Sequence, residues 1–218
     1  MSRSSPQRSA LSRAVLGTDP TRRALYIAGM MPAVLYFYWG VNNQLGADPM
    51  NVLERALGLW ALRFLIASLA ITPLRQLGGP NLIRHRRTIG LLAFYYAALH
   101  LSVYMLLDKQ LDVASIIADI IKRPYITVGM LAFVVLIPLA ATSNAPMIRR
   151  LGTGWRKLHR LAYLAAAAGA IHFIMLVKVW PAEPLIYAAI VAALLLFRLV
   201  RAVRPVPSGR SRASGRSA

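Results

Sequence analysis

Six apolar stretches of 17 to 20 residues dominate this 218-residue chain, and few folds can absorb them. They run Ala24–Val41, Ala56–Leu74, Thr88–Leu107, Ile126–Thr142, Leu158–Val177 and Pro184–Val200. A helix crosses bilayer hydrocarbon in about 20 residues, with a tolerance of roughly 17–25. Lipid offers the backbone no water to bond, so segments of this length must be helical to satisfy their own N–H and C=O groups. Connections are short and no internal repeat is visible. The sequence therefore predicts an all-α, polytopic bundle of six transmembrane helices over 24–200. A basic cytoplasmic tail at 1–23 and a disordered, Pro/Ser/Gly/Arg-rich tail at 201–218 flank it.

Composition supports a membrane protein over a soluble one. Hydrophobic residues make up 57% of the chain, mean hydropathy is +0.53, and only 15% of residues are charged. Soluble domains carry about a quarter charged residues. The net charge of +19 would suit nucleic acid, but the arginines sit between apolar blocks and no nucleic-acid motif accompanies them. The partner they imply is the lipid bilayer. No cysteine is present, which excludes disulfides, thiolate metal sites and cysteine-ligated iron–sulfur clusters. With the N-terminus inside, one side collects the arginine clusters around residues 3–23, 75–87, 149–160 and 198–216. The other side holds only Arg55, Lys109, Lys122, Arg123 and Lys178, with six of the seven acidic residues. Both termini are expected in the cytoplasm. The first span is too long for a signal-peptide core and lacks a clear cleavage site, so it reads as an anchor.

Ionisable side chains inside a span are candidates for function. His100 lies 12 residues beyond Thr88, about 18 Å along its helix; His172 lies 14 beyond Leu158, about 21 Å. Both helices run outward, so the two imidazoles reach similar depths toward the outer face. Two histidines at one level on two helices suit a bis-histidine haem held from both sides. The alternative is a separate hydrogen bond from each ring to a neighbouring helix. Zinc fits less well, because no carboxylate is expected at that depth to complete a tetrahedral site. His159 lies 13 residues before His172, about 20 Å away in depth, and cannot share its iron. It either ligates a second, inner haem, helps hold a flavin or quinone, or simply faces the headgroups. Arg63 falls seven residues into the second predicted span, about 10 Å from its outer end. With no intramembrane carboxylate expected, a haem propionate is its candidate partner, and snorkelling to the interface is the alternative. Arg84, His85, Arg86 and Arg87 form a basic cluster that either grips an anionic cofactor group or serves only to orient the chain.

The motifs "LGADP" (Leu45–Pro49), "ITPL" (Ile71–Leu74), "LIRHRRTIGL" with "ALH" (Leu82–His100), "RPYIT" (Arg123–Thr127), "LG..WRKLHRLAYL" with "IHF" (Leu151–Phe173) and "PLIYA" (Pro184–Ala188) occur in order. Together they resemble the MsrQ (YedZ) family of the ferric-reductase-like transmembrane group, which includes the membrane part of NADPH oxidases. The resemblance implies a multi-pass protein of the bacterial inner membrane with haem b and FMN as cofactors. It implies an electron-transfer subunit that is not itself the catalytic one. The implied partner is a periplasmic MsrP-like molybdopterin reductase of methionine sulfoxide in oxidised proteins, forming a heterodimer. Quinone or a cytoplasmic flavin reductase is the implied donor. The family's haem histidines fall on His100, His159 and His172. No dinucleotide fingerprint follows the bundle, so electrons from NADPH would need another protein. Two rival readings are a stand-alone ferric or quinone reductase and a non-redox transporter. The expected lack of carboxylates in the spans weighs against the transporter.

Overall fold

The computed structural model describes residues 20–177 and 181–203, and among them only helices and turns occur. In chain order these are α1 (Pro20–Val41), α2 (Pro49–Gln76), a 3-10 turn (Ile83–His85) and α3 (Arg86–Ser102), which continues as a π-helix (Val103–Asp108). Then come α4 (Val113–Lys122), α5 (Pro124–Ala141), α6 (Ala145–Leu151), α7 (Thr153–Leu158), α8 (Leu161–Leu176) and α9 (Ala182–Val203). Six segments are long and apolar enough to cross a membrane, and they coincide with the six predicted stretches. The chain is an all-α, multi-pass membrane protein. Residues 20–23 of the expected N-terminal tail belong to α1, and 201–203 extend α9. The rest of both tails, and Lys178, lie outside the described residues.

The boundaries differ from the sequence reading where capping overrides hydropathy. The Asp48 carboxylate accepts a hydrogen bond from the Asn51 N–H, and Pro49 occupies the first turn. Both are strong start signals. Helix α2 therefore begins seven residues before Ala56, and carries Glu54 and Arg55 into the span. This corrects the expectation that the spans contain no carboxylate.

The amphipathic helix α4, absent from the six-span reading, is capped by Asp112, whose carboxylate accepts from the N–H groups of Ala114 and Ser115. Its polarity is inverted relative to a soluble helix. Asp119 is buried against the bundle, while Val113, Ile117 and Ile121 face outward at 64%, 52% and 77% exposure. The fifth predicted span is not one helix either: it breaks between α7 and α8 at His159 and Arg160.

The most extensive pairings are α2 with α3 and α5 with α8, so the bundle is two tight helix pairs facing each other. Ala165, Ala166, Ala168 and Ala170 are buried on α8, where small side chains let backbones approach closely. Helix α1 is pinned to α3 by a phenol. The Tyr96 hydroxyl accepts from the Ala33 N–H at 3.0 Å and donates to the Gly29 carbonyl at 2.8 Å. These two groups stand four residues apart on one turn of α1, and Pro32 sits beside them.

Candidate functional site

A cavity of about 450 Å³ opens between the two helix pairs. His100 and His172 face each other across it, with ring centroids 6.2 Å apart and planes crossed at 73°. Asp48, Glu54, Arg55, Asp108 and Arg123 line the end nearest the α1–α2 connection, which we call the mouth. Apolar residues including Leu62, Leu65, Leu136 and Phe173 line the remainder. The resulting shape is a greasy slot with a charged entrance, as expected for a flat apolar group with polar edges.

Both rings are oriented by backbone carbonyls of the neighbouring helix. His100 Nδ1 donates to the carbonyl of Glu54 at 2.9 Å, and His172 Nδ1 donates to the carbonyl of Tyr125 at 2.6 Å. A carbonyl can only accept, so the Nδ1 atom of each ring holds the proton. Each Nε2 then carries the free lone pair, which is the arrangement metal-binding imidazoles use. An imidazole–metal bond of about 2 Å on each side, plus roughly 1 Å from nitrogen to ring centre, separates two axial rings by about 6 Å. The observed spacing therefore fits two axial ligands of one metal. Among the described residues no three or more His, Asp or Glu side chains converge as a protein-only metal site would need.

Two residues of this site escaped the sequence reading. Gly58 of α2 lies under the His100 ring and Gly129 of α5 under the His172 ring, where any side chain would crowd the imidazole. The available signal was a glycine in each facing span at the depth of a histidine.

The other predicted residues lie elsewhere. The His159 ring stacks on Trp155 with centroids 3.8 Å apart. Its Nδ1 meets the Trp155 carbonyl at 3.1 Å and its Nε2 meets Ser143 Oγ at 3.3 Å. The structure thus separates it from the facing pair. Arg63 does not line the cavity. Because α2 starts early, Arg63 lies 14 residues beyond Pro49, about 21 Å along the helix. Its Nε donates to Tyr187 Oη at 2.7 Å, and its guanidinium rests 4.9 Å from the Trp60 ring centre. Arg86 and Arg87 open α3 at the end opposite the mouth, with Arg86 in electrostatic reach of His159 and Arg198. Arg198 donates to the Tyr163 hydroxyl at 2.8 Å and to the Leu69 carbonyl at 2.6 Å.

Beside the mouth, Asp119 binds three partners. Lys109 Nζ lies 2.8 Å from Oδ2, Tyr104 Oη donates to the same oxygen at 3.0 Å, and Arg123 Nε lies 3.1 Å from Oδ1. The Lys109 ammonium above all holds the Asp119 carboxyl below its ordinary pKa, and the Asp119 carboxylate raises that of Lys109. This network ties the π-helical end of α3 to α4 and to the start of α5.

Comparison with known proteins agrees with this architecture. Residues 56–170 match the family described as "Ferric reductase like transmembrane component"; the match covers most of both helix pairs and ends two residues before His172. Curated relatives from Brucella ovis, Brucella canis and Brucella suis are each 59% identical over 177 residues, covering 81% of this chain and 80% of theirs. Each of them is named "Protein-methionine-sulfoxide reductase heme-binding subunit MsrQ". No solved structure gives a significant match. With the six spans, the facing histidines and this identity over four-fifths of the chain, the protein belongs to the MsrQ family within the ferric-reductase-like transmembrane proteins.

Proposed function

We propose that this chain is a haem b electron-transfer subunit in a bacterial inner membrane, serving a periplasmic MsrP-like molybdopterin reductase of methionine sulfoxide. The observation that carries the reading is the His100–His172 pair, 6.2 Å apart across a cavity, each with Nδ1 committed to a carbonyl. Two protein ligands would leave the remaining coordination positions of a metal to a macrocycle, and apolar side chains line much of the slot. Bound haem supplies a one-electron iron couple. His100 and His172 would hold the iron through their Nε2 atoms and leave it no open position, which favours electron transfer over oxygen chemistry. Leu62, Leu65 and Leu136 in the cavity wall would exclude water from the bound group, while Arg55 and Arg123 at the mouth would offer positive charge to its propionates.

At the opposite end, Arg86, Arg87, His159 and Arg198 form the candidate donor face. Three buried nitrogens there, Arg22 Nε, His85 Nδ1 and Arg198 Nε, have no hydrogen-bond partner among the described residues. Cations at the start of α3 suit a phosphate or quinone oxygen, and FMN or quinone is the donor group this face would take. The basic character of this end supports a cytoplasmic donor face, with the mouth on the periplasmic side.

The test is spectroscopic and then kinetic. The purified protein should show a reduced-minus-oxidised b-type spectrum with a Soret shift on dithionite; no Soret band would remove the haem reading. The reduced protein should then be reoxidised rapidly by the partner reductase with methionine sulfoxide. Reoxidation by ferric citrate or quinone alone, with the reductase inert, would instead favour a stand-alone transmembrane reductase.

A further inference from the structure

We infer that Gly58 and Gly129 are positioning residues that lock the His100 and His172 rings in their crossed orientation, and so set the potential of the iron between them. The inference rests on the haem reading above. It starts from an arrangement that occurs twice. His100 of α3 meets α2 at Gly58 and bonds the carbonyl of Glu54, four residues earlier; His172 of α8 meets α5 at Gly129 and bonds the carbonyl of Tyr125, also four residues earlier. Within a helix, the carbonyl at position i−4 is the natural partner of the N–H at position i. In both places the histidine therefore takes the second lone pair of the carbonyl that the glycine N–H already uses. It reaches that carbonyl across the space where a side chain would stand.

The space is narrow. A Cβ at Gly58 would lie 3.1 Å from His100 Nδ1 and 3.3 Å from Cε1, and one at Gly129 would lie 2.8 Å and 2.9 Å from the same atoms of His172. A ring fixed by a carbonyl at one nitrogen and by iron at the other cannot step aside without loosening one bond. By contrast, a Cβ at Gly90, elsewhere in α3, would find its nearest neighbour, Ser68 Oγ, at an ordinary 3.7 Å. The Nδ1–H···O=C bond increases the basicity of the coordinating nitrogen and so favours ferric over ferrous iron. Lengthening it should raise the midpoint potential. The bond is shorter at His172 (2.6 Å) than at His100 (2.9 Å), and Gly129 is the tighter notch. The His172 side therefore carries more of the effect. Because the two carbonyls belong to different helices, they also fix the 73° crossing angle. Crossed imidazole planes give low-spin ferric haem a strongly anisotropic EPR signal with a large gmax, unlike the rhombic signal of parallel planes.

The haem-loaded protein in detergent provides the test, with Gly58→Ala, Gly129→Ala and Gly90→Ala compared by potentiometric titration and ferric EPR. Wild type should show the large-gmax signal. Gly129→Ala should raise the midpoint potential and move gmax, Gly58→Ala should do both to a smaller extent, and Gly90→Ala should match wild type. Loss of haem from the Gly58 or Gly129 variants, with helical circular dichroism intact and Gly90→Ala still loaded, would equally support ring displacement. Wild-type potential and EPR signal in both Gly58→Ala and Gly129→Ala would overturn the inference while leaving the haem reading intact. A wild-type protein without a Soret band would defeat the haem reading itself, and this inference with it.

Discussion

The two ends of the bundle satisfy polar groups by different means. Near the mouth, cations meet a carboxylate: Lys109 and Arg123 converge on the buried Asp119. At the opposite end, Arg198 is met by two neutral partners, the Leu69 carbonyl and Tyr163, the latter through both its hydroxyl and its ring. The histidines divide along the same axis. His100 and His172 each give one nitrogen to a carbonyl and turn the other toward a cavity, whereas His159 has protein partners at both ring nitrogens and a tryptophan against its face. All three rings are partly buried, yet only the pair near the mouth keeps an uncommitted nitrogen lone pair. The residue type is the same, and the neighbouring backbone decides what it can bind.

The contrast should be sharpest in haem content. His100→Phe or His172→Phe should abolish the low-spin haem, while His159→Phe should retain it, measured as pyridine haemochrome per mole of protein. Loss of this haem in the His159 variant alone would reverse the comparison. The next largest effect concerns the mouth network. Asp119→Asn should cost about 2 kcal/mol, because two cations remain beside a neutral amide. The Asp119 carboxyl is held below its ordinary pKa, chiefly by Lys109, so its contribution is complete above the unfolded value of about 4. It disappears as pH falls through the depressed value. Unfolding of wild type and Asp119→Asn in detergent should therefore differ by a constant amount from neutral pH down to mild acid, and converge only in strong acid.

At the other end, Arg198→Met should stay within about 1 kcal/mol of wild type, since it removes a cation from neutral partners and strands no charge. A larger loss in the same unfolding assay would show the two ends to be alike. The smallest effect should come from Arg63→Met. That side chain bonds Tyr187 and does not line the cavity, so haem occupancy should be unchanged. A drop in haem content would place Arg63 back among the propionate contacts.

Parts of this site were legible in sequence. His100 and His172 could be matched in depth because helical rise converts residue number into distance. Arg63 could not, because its depth depended on where α2 begins, and Asp48 with Pro49 starts that helix within polar sequence. The same early start brings Glu54 to the cavity, and its carbonyl to His100. Helix α4 lay in a segment too short for a span, and its inverted polarity becomes visible only when the buried face is known. Gly58 and Gly129 could be noticed as glycines within spans, but nothing in one dimension pairs them with a particular histidine.

The sequence by itself determined the number of candidate crossings, the helical class and the shared level of the two histidines. Hydrocarbon forces each apolar segment to satisfy its own backbone, and that demand is local. Which ring nitrogen stays free, and which way each ring faces, was decided only by the tertiary structure. Those properties depend on carbonyls from another helix, brought within 3 Å where a glycine lets the helices close.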